Sequence, residues 1–499
     1  MLTFKKYVQL LENSEESPNK DWRKSFTKLE KGFVPPSKMR PIIDAFLKSG
    51  DIVLTNDASK KVTMPKKTLF LVGGPVRDFL LNKTIKDYDL ATNATPEQIA
   101  HILSTAGFKM ADERSGKSGK PMNLNFKPEL AESGEKRYWF VKGRDASQDG
   151  KVFVISAVVD KEEFEIATFR KDAKVTDGAA EVDFVDNPVE DASRRDLTIN
   201  SLYIELSKSD GPNDKLYDPT GKGYHDVRNG VVRTVGKASD RFSEDKLRIL
   251  RAIRFHARFG SESKMDDDIE NSIPSFKHLD GVALERIKDE FIKGLLHPDV
   301  DTKKYLDIYK RTGLLNKVFP NLNFQNFETI PEQFKQKKDK PLALAWILQN
   351  NSINDVNIAL SPSRNVSGED KQTGWTVEEK RAVLFLLKLK SFDPQQLSEF
   401  LRSRNSTMLT DQQIRDWVEL FKHNNKHSRP TWAKQILTLA SYKPSVKWDD
   451  IVNSGQDSCE NCQGQGCPMC DQGKIKPDQR SRLIANREIN NFTKLIDMS

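Results

Sequence analysis

The sequence predicts an α+β fold: a head built on a mixed β-sheet, then a long helical region, then a small four-cysteine module. Three observations predict it. Between Leu69 and Arg170 the short runs "LFLVGG", "VFVISAVV" and "FEIATFR" have strand length and are rich in β-branched and aromatic residues. After about residue 240 the strand signals fade, and apolar residues recur with helical spacing through residue 440. All four cysteines fall between positions 459 and 470. A chain of 499 residues is too long for one core. Its composition shifts divide it into an N-terminal extension (1–65), the head (66–205), a helical neck (206–300), a helical body and tail (301–450) and the cysteine segment (451–499).

Each element follows from local pattern. The extension opens with a helical spacing (Phe4, Val8, Leu10, Leu11), crosses a Pro-, Ser- and Lys-rich stretch and includes "IIDAFLKSGDIVLT", a helix closed by Gly50. In "TPEQIAHILSTAG" Thr95 is placed to cap a helix, Pro96 to open it and Gly107 to end it. Residues 111–150 are polar and rich in Gly and Ser, and read as an insertion or mobile loop. "KQKKDK" at 335–340 is the one dense charge run and reads as solvated surface or an RNA contact.

Composition narrows the function classes. Hydrophobic residues are 37% and charged residues 30%, which suits a globular protein with a charged surface. The apolar run "AVLFLL" (382–387) falls far short of the ~20 residues a membrane span needs, and the N-terminus lacks the apolar core of a secretory signal. A cytoplasmic protein without a membrane partner is expected. Lys and Arg exceed Asp and Glu by 80 to 72, a net +8 that favours a polyanion such as RNA. The sequence leaves oligomeric state open. Clustered cysteines do not staple a fold by disulfides. Cys459, Cys462, Cys467 and Cys470 form two CxxC pairs four residues apart, a spacing that suits tetrahedral structural Zn²⁺.

The chemistry-bearing stretch is "LFLVGGPVRDFLLNKTIKDYDLAT". Gly73 and Gly74 end a strand and would let the backbone approach a bulky anion such as a triphosphate. Arg77 follows one helical turn later, a spacing that could reach a phosphate. Asp87 and Asp89 share a face if extended, because side chains alternate with period two. Such a pair can hold Mg²⁺, and two ions would stabilise both oxygens of an in-line displacement at phosphorus. Glu165 stands between Phe164 and Ile166, where an acid is costly unless paired or metal-bound, and is a candidate third carboxylate. "DASRRDLTINSLY" groups Arg194, Arg195 and Asp196 at what reads as a charged helix start or a phosphate and ribose site. In "RFSEDKLRILRAIRFHARFG", Ser243, Glu244 and Asp245 read as a helix N-terminus. Arg248, Arg251, Arg254 and Arg258 fall within an arc of about 120°. A stripe of arginine without lysine suggests planar recognition of phosphates or base edges.

These segments, with "LYDPTGKGYHDVRNGVVRTVG" and "ALERIKDEFIKGLL", occur in the order seen in class II tRNA nucleotidyltransferases, the CCA-adding enzymes, and their bacterial poly(A) polymerase relatives. The resemblance covers residues 66–300. It implies a polymerase-β-like nucleotidyltransferase head and addition of CMP and AMP, from CTP and ATP, to the 3′ end of tRNA or another RNA. In that family the carboxylates matching Asp87 and Asp89 bind the catalytic Mg²⁺ ions and the acid matching Glu165 completes the site. Gly73, Gly74 and Arg77 would hold the triphosphate. Arg195, Asp196 and Asn200 lie in the motif that recognises the nucleotide's sugar and phosphates. Asp245 and Arg248 match the pair that reads the base, and Arg251 and Arg254 continue that nucleotide-binding helix. Asn82 stands where the family usually has glycine, Pro75 replaces a small residue, and the family's His-Gly-Thr segment is not recognisable within 111–150. A poly(A) polymerase and a catalytically silent RNA-binding protein are the alternative readings.

Overall fold

The computed structural model describes residues 20–55, 61–110, 137–145, 151–176, 179–260, 262–324, 327, 329–361, 363–364, 370–371, 375–390, 407–422, 470–471, 474–475 and 484. The chain forms two compact units, divided between Phe276 and Lys277. No described helix is long and apolar enough to cross a membrane.

The first unit is organised by strands β1 (Thr27–Phe33), β2 (Val53–Thr55), β3 (Lys61–Thr63), β4 (Leu69–Val72), β5 (Asp89–Thr92), β6 (Lys109–Met110), β7 (Arg137–Asp145), β8 (Lys151–Val159) and β9 (Glu162–Thr168). They continue with β10 (Arg170–Thr176), β11 (Ala179–Phe184), β12 (Tyr203–Glu205) and β13 (Asn213–Tyr217). Nine of them make one sheet in the order β1-β13-β12-β4-β5-β9-β8-β7-β6. Neighbours run antiparallel except β5 with β9 and β6 with β7. β10 and β11 form a hairpin beyond the sheet, and β2 pairs with β3.

Two expectations change here. Thr27–Phe33, placed in the extension, is the sheet's edge strand, and Phe33 is buried against Phe79 at a 5.6 Å ring separation. The end of the supposed 111–150 insertion is β7, because "RYWFV" carries enough aromatic and β-branched surface to pair with β8 along its length. The helical pattern at residues 4–11 lies outside the described residues.

Helices α1 (Arg40–Leu47), α2 (Gly74–Leu80), α3 (Pro96–Thr105) and α4 (Pro188–Ser193) surround the sheet. α3 starts as the sequence predicts: Thr95 accepts from the Gln98 N–H, and the Gln98 side chain accepts from the Thr95 N–H. It packs Ile99, Ile102 and Leu103 into the core and touches α1, β8 and β9. Elsewhere an aromatic cluster of Phe70, Phe169, Tyr203 and Tyr217 is buried with Val72, Ala91 and Ala192. α2 ends in a turn where Asn82 adopts φ 54, a left-handed conformation that explains a family preference for glycine and that Asn tolerates.

The neck helices α5 (Gly223–Arg228), α6 (Ala238–Glu244), α7 (Leu247–Arg258) and α8 (Asp267–Phe276) complete this unit. Ser243 and Glu244 close α6 rather than open a helix. Asp245 is extended (φ −150, ψ 106) and accepts from the Leu247 N–H at 3.0 Å, so the break falls one turn later than expected. Likewise Arg194 and Arg195 follow α4 instead of starting it.

The second unit is helical: α9 (Leu284–Leu295), α10 (Thr302–Arg311), α11 (Leu315–Val318), α12 (Glu332–Gln336), α13 (Lys340–Leu348), α14 (Ile353–Ala359), α15 (Val377–Lys390) and α16 (Asp411–Lys422). The run 335–340 is not simply solvated. Lys335 is buried and donates to the Val300 carbonyl at 2.8 Å, Lys337 pairs with Asp416 and Lys340 pairs with Glu379. α9 and α10 meet at Gly294, where an added Cβ would lie 2.3 Å from the Tyr305 ring. Gly294→Ala is therefore expected to destabilise this unit by about 1–3 kcal/mol through overpacking. Thermal unfolding of the variant checks it, and an unchanged transition would contradict the close approach.

Candidate active site

The parallel register of β5 and β9 sets Asp89 directly beside Glu165. Alternation then sends Leu90, Phe164 and Ile166 into the core. Asp87 precedes β5 by two residues and is exposed. The recess around Asp89, then the negative charge of Glu165 and of Asp87, raise its carboxyl above the ordinary range, although Arg195 and Lys142 act against them. Hard oxygen donors of like charge, two of which raise the Asp89 pKa, make a set a divalent cation would neutralise, and Mg²⁺ fits it. Glu165 faces Lys142, whose Nζ donates to Glu165 Oε1 at 2.6 Å and to Glu163 Oε1 at 2.7 Å. Among the described residues, no three His, Cys, Asp or Glu side chains are already gathered as a metal would require.

Gly73 has φ +73, and a Cβ there would come within 3.3 Å of Arg195 Nη1. This glycine is needed both for its dihedral and for the approach of a guanidinium. Arg195 is held in place by Asp191 (3.0 Å), by the Asn200 carbonyl (3.2 Å) and over the Tyr203 ring (5.1 Å). Asp191 is the hub: it also accepts from Arg194 at 2.6 Å and from the Tyr203 hydroxyl at 2.7 Å. Burial alone would raise its carboxyl, but Arg195, Arg194 and Tyr203 outweigh that and hold its pKa down to about 2 from an ordinary 3.8.

Arg77 is engaged by the chain's own groups. It is 4% exposed, pairs with Asp78, donates to Asn200 Oδ1 and stacks over Phe255 of α7 at 4.7 Å. Burial, then the charge of Arg258, lowers its pKa to about 10. The arginine stripe of α7 is likewise turned onto the chain's own acceptors. Arg258 donates to both Asp78 oxygens at 3.1 Å, Arg251 pairs with Asp196, and Arg248 donates to the Arg194 carbonyl at 3.2 Å and pairs with Glu244. The Arg254 guanidinium lies over Phe255. Asp196 and Asn200 are buried in the seam between head and neck. Planar recognition is present, but its partners here are carboxylates and carbonyls.

The structure thus brings Asp89, Glu165, Asp87, Gly73 and Arg195 together and sets Arg77, Asp196 and Asn200 behind them. Gly74 opens α2, and Asp245 with Arg248 sits where α6 gives way to α7. Cys459, Cys462 and Cys467 lie outside the described residues, and of Cys470 only the backbone is described, in a two-residue pairing with Lys474–Ile475. Sequence reading missed Asp191, although it stands three and four residues before Arg194 and Arg195, a helical pairing distance. It also missed Asp78, Lys142 and Glu163.

Residues 69–140 and 131–233 match the poly(A) polymerase head domain. Over 230 residues the chain is 35% identical to the mitochondrial CCA tRNA nucleotidyltransferase 1 of Danio rerio, spanning 46% of this chain and 44% of that protein. It is 28% identical over 365 residues to a CCA-adding enzyme of Lactobacillus gasseri, spanning 72% and 70%. A crystal structure of the Bacillus stearothermophilus CCA-adding enzyme in complex with CTP shares the fold, with a TM-score of 0.52 at 20% identity over 93% of this chain and 99% of that one.

Because the Asp191 pKa is lower folded than unfolded, its stabilisation is full above about pH 4, is lost as pH falls toward 2, and amounts to about 2 kcal/mol. Asp191→Asn should lower head stability by about that much or more at pH 7, with the gap to wild type narrowing at pH 3. Urea unfolding at both pH values checks this, and an equal gap at both would contradict the hub.

Proposed function

We propose that this protein, whose residues 69–233 match the poly(A) polymerase head domain, is a template-independent nucleotidyltransferase that adds CCA to the 3′ end of tRNA. The RNA 3′-hydroxyl attacks the α-phosphate of CTP or ATP, an O–P bond forms, and pyrophosphate leaves. The observation that carries the reading is the register that puts Asp89 beside Glu165, with Asp87 two residues before Asp89 and Arg195 next to Gly73. The naming of its relatives as CCA-adding enzymes supports the choice of reaction.

Asp87 and Asp89, with Glu165 beside them, would hold Mg²⁺, which when bound neutralises charge on the phosphoryl oxygens. Gly73 and Arg195 take the triphosphate: the glycine leaves room for it and the guanidinium is already oriented by Asp191. Asp245 and Arg248 read the base. Cytosine and adenine both present an exocyclic amine beside a ring acceptor, which suits a carboxylate acceptor beside a guanidinium donor, and uracil and guanine reverse that order. For Arg248 to do so, its guanidinium must leave Glu244 or share it. The spacing of Cys459, Cys462, Cys467 and Cys470 supports a structural Zn²⁺ in the tail. Chelation should then loosen the tail, and a tail indifferent to chelator would remove the zinc.

The test is primer extension with Mg²⁺ on a tRNA transcript ending at its discriminator base and on an unrelated RNA, with CTP, ATP or both. Two C's and one A, on tRNA alone, are expected. Long A tails on either RNA would replace the reading with a poly(A) polymerase, and no addition would replace it with an RNA-binding protein. Asp89→Asn should cost on the order of 10²–10³-fold in rate or more. Arg248→Ala should raise UTP and GTP incorporation relative to CTP and ATP, and an unchanged preference would remove Arg248 from base reading.

A further inference from the structure

Lys142 projects from β7 onto the face of β9 that carries the candidate carboxylates. Its Nζ bridges Glu163 Oε1 and Glu165 Oε1, at 2.7 and 2.6 Å, and Ser156 Oγ donates to the same Glu163 oxygen at 2.7 Å. Glu163 and Glu165 are two residues apart on one strand and so share a face, but only Glu165 is in register with Asp89. The acids therefore differ in kind: one belongs to the candidate cation site, and the other is anchored away from it by Ser156. Lysine suits such a bridge, since its ammonium has three donors on a flexible stem and can release one partner while keeping another.

We propose that Lys142 is a positioning residue that competes with the divalent cation for Glu165, holding that carboxylate back until the cation is bound and then resting on Glu163 alone. The proposal relies on the reading that Asp87, Asp89 and Glu165 serve a divalent cation. The bridge leaves the ammonium paired in both states, because Glu163 remains when Glu165 turns away. Its strength is also suitable. The three side chains are each about four-tenths exposed, and ion pairs at that exposure shift equilibria only a few-fold, so the contact biases Glu165 without locking it.

Titration of the full chain with Mn²⁺, without nucleotide, followed by the electron paramagnetic resonance of the unbound ion, tests this. Lys142→Met should tighten Mn²⁺ binding about two- to fivefold. In a Glu165→Gln background the same substitution should change binding little, because the residue acts through that carboxylate. A gain of equal size in both backgrounds would show a general charge effect and overturn the proposal, as would no gain in either. Asp89→Asn separates this from the underlying reading. If it abolishes Mn²⁺ binding while Lys142→Met has no effect, only the proposal fails. If it leaves Mn²⁺ binding intact, the carboxylate site itself is misassigned and both fail.

Discussion

The parallel pairing of β5 with β9, near the middle of a mostly antiparallel sheet, is the constraint from which the rest of the head follows. Parallel neighbours cannot be joined by a tight turn and need a long connection. Here that connection runs from Asn93 to Lys161 and carries α3, β6, β7 and β8. α3 covers one side with Ile99, Ile102 and Leu103, and β7 and β8 extend the sheet beyond β9. A slip of one residue between β5 and β9 would send Asp89 or Glu165 toward the core and Leu90 or Ile166 toward solvent. The apolar alternation that stabilises the pair thus also aligns the acids, and the geometry of the site is a by-product of burial.

Behind the carboxylates lies a second layer whose charges are satisfied within the chain. Asp191 fixes Arg194, Arg195 and Tyr203, while Asp78 and Asp196 receive Arg258 and Arg251 from the neck helix. Thr198, at the start of the turn carrying Asn200, donates to the buried Asp226, which also pairs with Arg233. Removing one member from such a network leaves a desolvated charge behind, so these residues act together. The head and neck are joined by ionic contacts that demand particular directions, which apolar packing alone does not.

Much of this was legible in the sequence, and the illegible part has definite causes. The two-residue spacing grouped Asp87 with Asp89, although Asp87 lies before β5, the cost of an acid between Phe164 and Ile166 singled out Glu165, and Thr95, Pro96 and Gly107 announced α3. The arginine spacing on α7 was equally plain, but spacing reveals a shared face and not what lies opposite it. A guanidinium that matches a phosphate also matches a carboxylate, so Arg77, Arg251 and Arg258 found Asn200, Asp196, Asp78 and the face of Phe255. Lys142 was hidden for another reason: its strand follows a long polar stretch, and its partners come from a register that only the assembled sheet defines. The boundary at Asp245 was misplaced because an acid that caps a helix from two residues before its first N–H looks like one already inside it.

The outermost strand, Thr27–Phe33, has a consequence for the open edge of the sheet. It covers the open hydrogen-bonding edge of β13, leaves Lys28, Glu30 and Lys31 exposed, and departs from regular register before Phe33. Gly32 passes so close to Pro212 that a Cβ would sit 2.8 Å from that ring. Charge and irregularity at an edge discourage a second sheet from adding to it. Among the described residues the opposite margin is the two-residue β6. A chain beginning after residue 33 would bare the backbone of β13 and the faces of Phe79 and Tyr217, a template for strand addition between molecules. The segment read as an N-terminal extension thus closes one edge of the sheet that carries the candidate carboxylates.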